Sequence, residues 1–65
     1  MDSKILIETL IALADKNEDV VTISIIQLRM KTGFRESMAI LSDLIRTGAI
    51  SEIEGKCYLN PVFIS

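Results

Sequence analysis

The sequence predicts a small α+β domain: three helices and a short antiparallel sheet, in the order helix, strand, helix, helix, strand, strand. Three observations carry this. Apolar residues recur at helical spacing in three stretches, the first spanning Ser3 to about Asn17. Two glycines, Gly33 and Gly48, bracket the third stretch. After Gly48 the apolar period falls from 3.6 to 2, the mark of a strand. With 65 residues the chain predicts one domain over 1–65. A core this small leaves a net stability of about 3–5 kcal/mol. Hydrophobic residues make up 49% of the chain, too many for disorder.

Asp2 or Ser3 is placed to cap the first helix. At 100° per residue, Leu6, Ile7, Leu10, Ile11, Leu13 and Ala14 share one arc, expected to be the buried face. Lys4, Glu8, Asp15 and Lys16 fall outside it. Ile5 is the misfit: it projects with Thr9 and Ala12 on the polar side, as a scattered surface residue or as a partner contact.

Asn17-Glu18-Asp19 reads as a polar turn, and the β-branched run Val20-Val21-Thr22 as a brief strand. Ser24 and Gln27 have capping-box spacing and open the second helix, which runs to about Lys31. Ile25 or Ile26 and Leu28 are expected inside, with Met30 at the margin. Gly33 is expected to end this helix as a left-handed cap.

Phe34 is expected to anchor the start of the third helix, residues 35–47. Ser37, Ile40, Leu41, Leu44 and Ile45 form one face; Arg35, Glu36, Ala39, Ser42, Asp43 and Arg46 form the other. Gly48 closes the helix. Ala49 to Ile53 is a strand, Glu54-Gly55 or Gly55-Lys56 a turn, and Cys57 to Asn60 the return strand. Pro61 cannot donate to a ladder and stops the pairing. Val62-Phe63-Ile64 is an apolar tail.

Two helices joined by a short glycine-containing turn make a helix-turn-helix unit. The hairpin that follows reads as a wing, and the short strand can add to its edge as a third strand. The expectation is a winged helix-turn-helix.

The stretch Thr22-Ile23-Ser24, Gln27, Arg29, Lys31, Gly33-Phe34, followed by an apolar-striped helix and Gly48-Ala49-Ile50, resembles the C-terminal γ domain of the FtsK/SpoIIIE DNA translocases. The resemblance implies a winged helix that reads short orienting sequences in DNA. It carries Arg29 and Lys31 over as matching basic positions. Beyond the aromatic residue the chain departs from the pattern. It has Arg35-Glu36 where the family has Asn-Arg, and Ala39 where the family has its next Arg.

In a helix-turn-helix the second helix enters the major groove and the first crosses the backbone. Arg35, Ala39, Ser42 and Arg46 then form the groove-facing stripe. Arg pairs bidentately with guanine, Ala meets a thymine methyl, and Ser reads either way. Arg29 and Lys31 suit phosphates, and Lys56 near the wing tip reaches a neighbouring phosphate or the minor groove. The same charges would also serve as an ordinary solvated face, and Glu36 and Asp43 oppose phosphate. The leading expectation is a module binding double-stranded DNA, a small regulator or an orienting domain. The alternative is a protein-interaction or dimerisation module using Ile5 and the tail Val62, Phe63 and Ile64.

Composition narrows the chemistry. With no His and one Cys, imidazole ligands, His bases and thiolate zinc sites are excluded. Glu52 and Glu54 lie two apart on the hairpin, but without a cleft they read as solvated charges. Tyr58 and Cys57 read as packing residues. No enzyme activity, cofactor, metal or small-molecule substrate is expected. No apolar run approaches the ~18 residues that span a bilayer. The N-terminal Met1-Asp2-Ser3-Lys4 lacks the basic region of a signal peptide. A cytoplasmic location is expected.

Net charge is −2, which at first argues against nucleic acid. It is unevenly spread. Residues 1–19 set Lys4 and Lys16 against five carboxylates. Residues 20–48 hold Arg29, Lys31, Arg35 and Arg46 against only Glu36 and Asp43. The one positive excess therefore falls on the predicted helix-turn-helix, and it is small enough to imply weak or dimer-assisted binding.

Overall fold

The structure, a computed structural model, describes residues 3–60. It contains α1 (Ser3–Asp15), β1 (Val20–Val21), α2 (Ile23–Met30), α3 (Phe34–Thr47), β2 (Ile50–Ile53) and β3 (Lys56–Leu59). Among the described residues the three helices pack on a three-stranded antiparallel sheet of order β1-β3-β2. The domain is α+β, with the element order expected from the sequence.

The sheet is built on its hairpin. Glu54 and Gly55 take φ of 51° and 80°, so the two-residue turn is of the primed type whose twist matches the strands. Lys56 is therefore not in the turn; it begins β3 opposite Ile53. β1 adds to the other side of β3, with Val20 opposite Tyr58 and Val21 opposite Cys57. The Leu59 amide donates to the Asp19 carbonyl, extending this pairing by one bond.

The core joins all the layers. Leu13, Val21, Ile26, Ile40, Leu44, Ala49, Ile50 and Leu59 form one buried cluster. Each fully buried Leu, Ile or Val contributes about 1.5–3 kcal/mol by leaving water. α3 presents the expected face to this core. Ser37, Ile40 and Leu44 are buried, and Leu41 and Ile45 are half-buried.

α1 is turned roughly a quarter turn from the expected facing. Thr9 and Leu13 are fully buried, and Ile5, Leu6, Leu10 and Ala14 pack against the core. Ile7 and Ile11, expected inside, are 56% and 63% exposed. Ile5 is thus a core-packing residue and not an outward contact. The hydroxyl of Thr9 makes this facing affordable: it donates to the Ile5 carbonyl at 2.8 Å, so no polar atom is stranded. The helix ends at Asp15. Asn17 then takes the left-handed conformation at φ 54°. The Asn17 and Glu18 amides donate back to the Ala14 and Leu13 carbonyls, a Schellman closure.

α2 differs at both ends. Its N-cap is Thr22, whose Oγ1 accepts from the Ile25 amide at 3.1 Å. Ser24 lies inside the helix. Either residue has the chemistry of a cap, but Thr22 has extended backbone, with φ −125° and ψ 165°, because it leaves β1 directly. Thr22→Ala is expected to cost about 1 kcal/mol in urea denaturation, against under about 0.5 for Ser24→Ala. Equal costs would overturn the assignment.

At the other end of α2, Lys31 takes the left-handed position, φ 54°. Gly33 is extended, φ −76°, and is the N-cap of α3. The chain reverses at Lys31, leaving Gly33 to start the next helix. Two apolar assignments also change. Leu28 lies on the outer side of α2, 65% exposed, opposite buried Ile26. Phe34 is 57% exposed, so it does not anchor α3. That anchor is Ser37, fully buried, whose hydroxyl hydrogen-bonds Thr32 in the turn. Gly48 closes α3 at φ 89° as expected, its amide donating to the Ile45 carbonyl.

Val62, Phe63 and Ile64 lie outside the described residues. No described helix is long and apolar enough to cross a membrane.

Candidate nucleic-acid interface

The site follows from how α3 is clamped. Ser37, Ile40 and Leu44 define its buried line. At 100° per residue, the centre of the opposite side is the line Arg35, Ala39, Ser42, Arg46. All four are exposed. Their spacing of 4, 3 and 4 residues keeps them in one stripe, and 11 residues at 1.5 Å make it roughly 16 Å long. One flank is acidic, with exposed Glu36 and half-buried Asp43. The other is apolar, with exposed Phe34 and Met38.

The two arginines of the stripe differ. Arg46 donates to Asp43 at 2.7 Å, one turn back on the helix. Its side chain is 76% exposed, that of Asp43 only 17%. An exposed pair of this kind holds by at most about 1 kcal/mol, so the guanidinium can leave for a phosphate or a guanine edge. Arg35 makes no ion pair among the described residues.

Arg29 is placed otherwise. Its Nη2 donates to Glu18 at 2.7 Å, with both side chains largely covered, and its Nε is buried without a hydrogen-bond partner among the described residues. The contact ties α2 to the turn after α1. Glu18 thus competes directly with any phosphate for Arg29. The two residues are eleven apart on different elements, and no local spacing announces the pair.

Lys31 and Lys56 are exposed and make no ion pair among the described residues. Lys31 sits in the turn immediately before α3, in a left-handed conformation where glycine would be less strained. Lys56 lies beside the hairpin turn. α3 thus carries the stripe, the turn before it supplies Lys31, and the first residue of β3 supplies Lys56.

Cys57 is half-buried opposite Glu52. Burial pushes its thiol pKa up, and the Glu52 carboxylate adds to this. The folded chain therefore keeps the proton where an unfolded chain begins to lose it. The resulting stability is fully present below the ordinary thiol range and declines as pH rises from there toward the raised value. Iodoacetamide labelling at pH 8 is expected to be slower for the folded protein than for the urea-unfolded chain, and faster in Glu52→Gln. Equal folded and unfolded rates would contradict this reading.

No protein-family model matches the chain, and neither a curated protein nor a solved structure does.

Proposed function

We propose that this chain is a winged-helix DNA-binding module. In this reading α3 enters the major groove, α2 crosses the backbone, and the β2–β3 hairpin is the wing. The observation that carries it is the exposed stripe Arg35, Ala39, Ser42, Arg46, set opposite the buried line of α3 and flanked in sequence by Lys31 and Lys56. Arg35 and Arg46 contact guanine edges or phosphates, Ala39 a thymine methyl, and Ser42 a base edge. Lys31 and Lys56 fix the register on the backbone. Arg29 acts mainly by holding α2 through Glu18, and only its remaining N–H groups are offered to phosphate. The resemblance to the γ domain of DNA translocases supports the same class of ligand, with a different base preference because Arg35-Glu36 and Ala39 replace that family's reading residues.

Net charge of −2 and the carboxylates of Glu36 and Asp43 make binding weak and strongly salt-dependent. With two to four phosphates neutralised, affinity falls between about tenfold and a hundredfold from 50 to 200 mM salt. An NMR titration with random-sequence duplex at both salt concentrations tests this. Shifts concentrated at residues 29–47 and 56, weakening with salt, are expected. Their absence at 50 mM would sink the proposal.

A further inference from the structure

We propose that α1 is a self-association surface, pairing antiparallel with α1 of a second copy through Ile7 and Ile11. Both isoleucines are more than half exposed and lie one turn apart on the side of α1 away from the core. Leucine-sized apolar groups stacked on one line of a helix are what a helix–helix contact buries.

The charges beside that line say what covers it. Lys4 and Asp15, both exposed, lie on the same flank of the Ile7–Ile11 stripe, one at each end of the helix. A two-fold axis across the interface midway between Ile7 and Ile11 keeps this flank on the same side and reverses the helix direction. It brings Lys4 of one copy beside Asp15 of the second, and does so twice. Ile7 of each copy meets Ile11 of the other. The parallel arrangement instead carries the two Lys4–Asp15 flanks to opposite sides of the seam, where neither charge meets a partner. The surface is therefore complementary to itself in one orientation only, as an isologous interface requires. Glu8 lies on the same flank but further round the helix, so it approaches its own copy from the solvent side and weakens the pair.

One helix face is small against the roughly 1,200 Å² or more buried in stable interfaces. The dimer is accordingly weak, populated from tens of micromolar to about a millimolar. The proposal uses none of the α3 stripe and stands independently of the DNA reading.

Sedimentation equilibrium of the full chain from 10 µM to 1 mM tests it. A monomer–dimer equilibrium is expected. Ile7→Gln with Ile11→Gln should weaken association by at least about tenfold; both sites are exposed and Gln keeps helix propensity, so the fold persists. Lys4→Glu alone and Asp15→Lys alone should each weaken it by several-fold, and the two together should restore it. Each reversal places a charge favourably on the helix dipole, which favours retention of α1. Circular dichroism confirms folding at each step. A monomer throughout, a dimer indifferent to the Ile7 and Ile11 changes, or a double reversal that fails to restore pairing would each overturn the proposal.

Discussion

A variant carrying Arg35→Ala and Arg46→Ala is expected to bind duplex DNA about a hundredfold more weakly at fixed salt, with its stability nearly unchanged. A good bidentate contact from arginine to guanine is worth about 1–3 kcal/mol of discrimination, so losing two such contacts, or one and a phosphate contact, gives this order. Stability is spared because neither side chain supports the core. Arg35 is exposed, and Arg46 holds only the exposed pair with Asp43. Single Lys substitutions separate the roles. At a phosphate Lys replaces Arg with little loss; at a guanine edge the planar fork is lost, and affinity falls nearly as far as with Ala. Fluorescence anisotropy at 50 mM salt reads all of these. An unchanged affinity in the double Ala variant would remove α3 from the interface.

Ile40→Ala, one residue from the stripe, is expected to remove most of the domain's stability at 25 °C. Ile40 has no exposed surface and sits in the core cluster with Leu13, Ile26 and Leu44. Truncating a fully buried Ile costs about 2–5 kcal/mol, the transfer loss plus the cavity. A domain of this size has only about 3–5 kcal/mol to lose. Ala39→Ser, next in the chain but exposed, should change stability by less than about 0.5 kcal/mol. Urea denaturation followed by circular dichroism compares them. A cooperative transition in Ile40→Ala within about 1 kcal/mol of the parent would show that the core does not clamp α3 as described.

The contrast between residues 39 and 40 shows why α3 was readable beforehand. Its polar and apolar residues are cleanly separated, so helical period alone assigns Ile40 and Leu44 inward and the Arg35–Arg46 stripe outward. The hairpin was readable for a similar reason: a glycine turn between alternating residues admits few registers. α1 has no such separation. Its apolar residues spread over well more than half the circumference, so more than one facing buries similar area, and local pattern does not choose among them. Docking against α2 and α3 chooses, and it buries Thr9 because the i−4 carbonyl satisfies its hydroxyl.

The helix caps are underdetermined locally for a different reason. Thr22 and Ser24 are both competent, as are Lys31 and Gly33 as turn positions, and the path of the chain out of β1 and into α3 selects between them. The Arg29–Glu18 pair depends on two elements meeting across the fold, which spacing cannot encode.

The sequence by itself determined the element order, the hairpin, the Gly48 closure and the two faces of α3, because each is set by period or backbone chemistry within a dozen residues. Only the tertiary structure decided which side of α1 meets the core, and so left Ile7 and Ile11 exposed. It also committed Arg29 to Glu18 and placed Phe34 and Leu28 at the surface. Those outcomes depend on which surfaces compete for burial when distant elements meet, a comparison that no local stretch of chain contains.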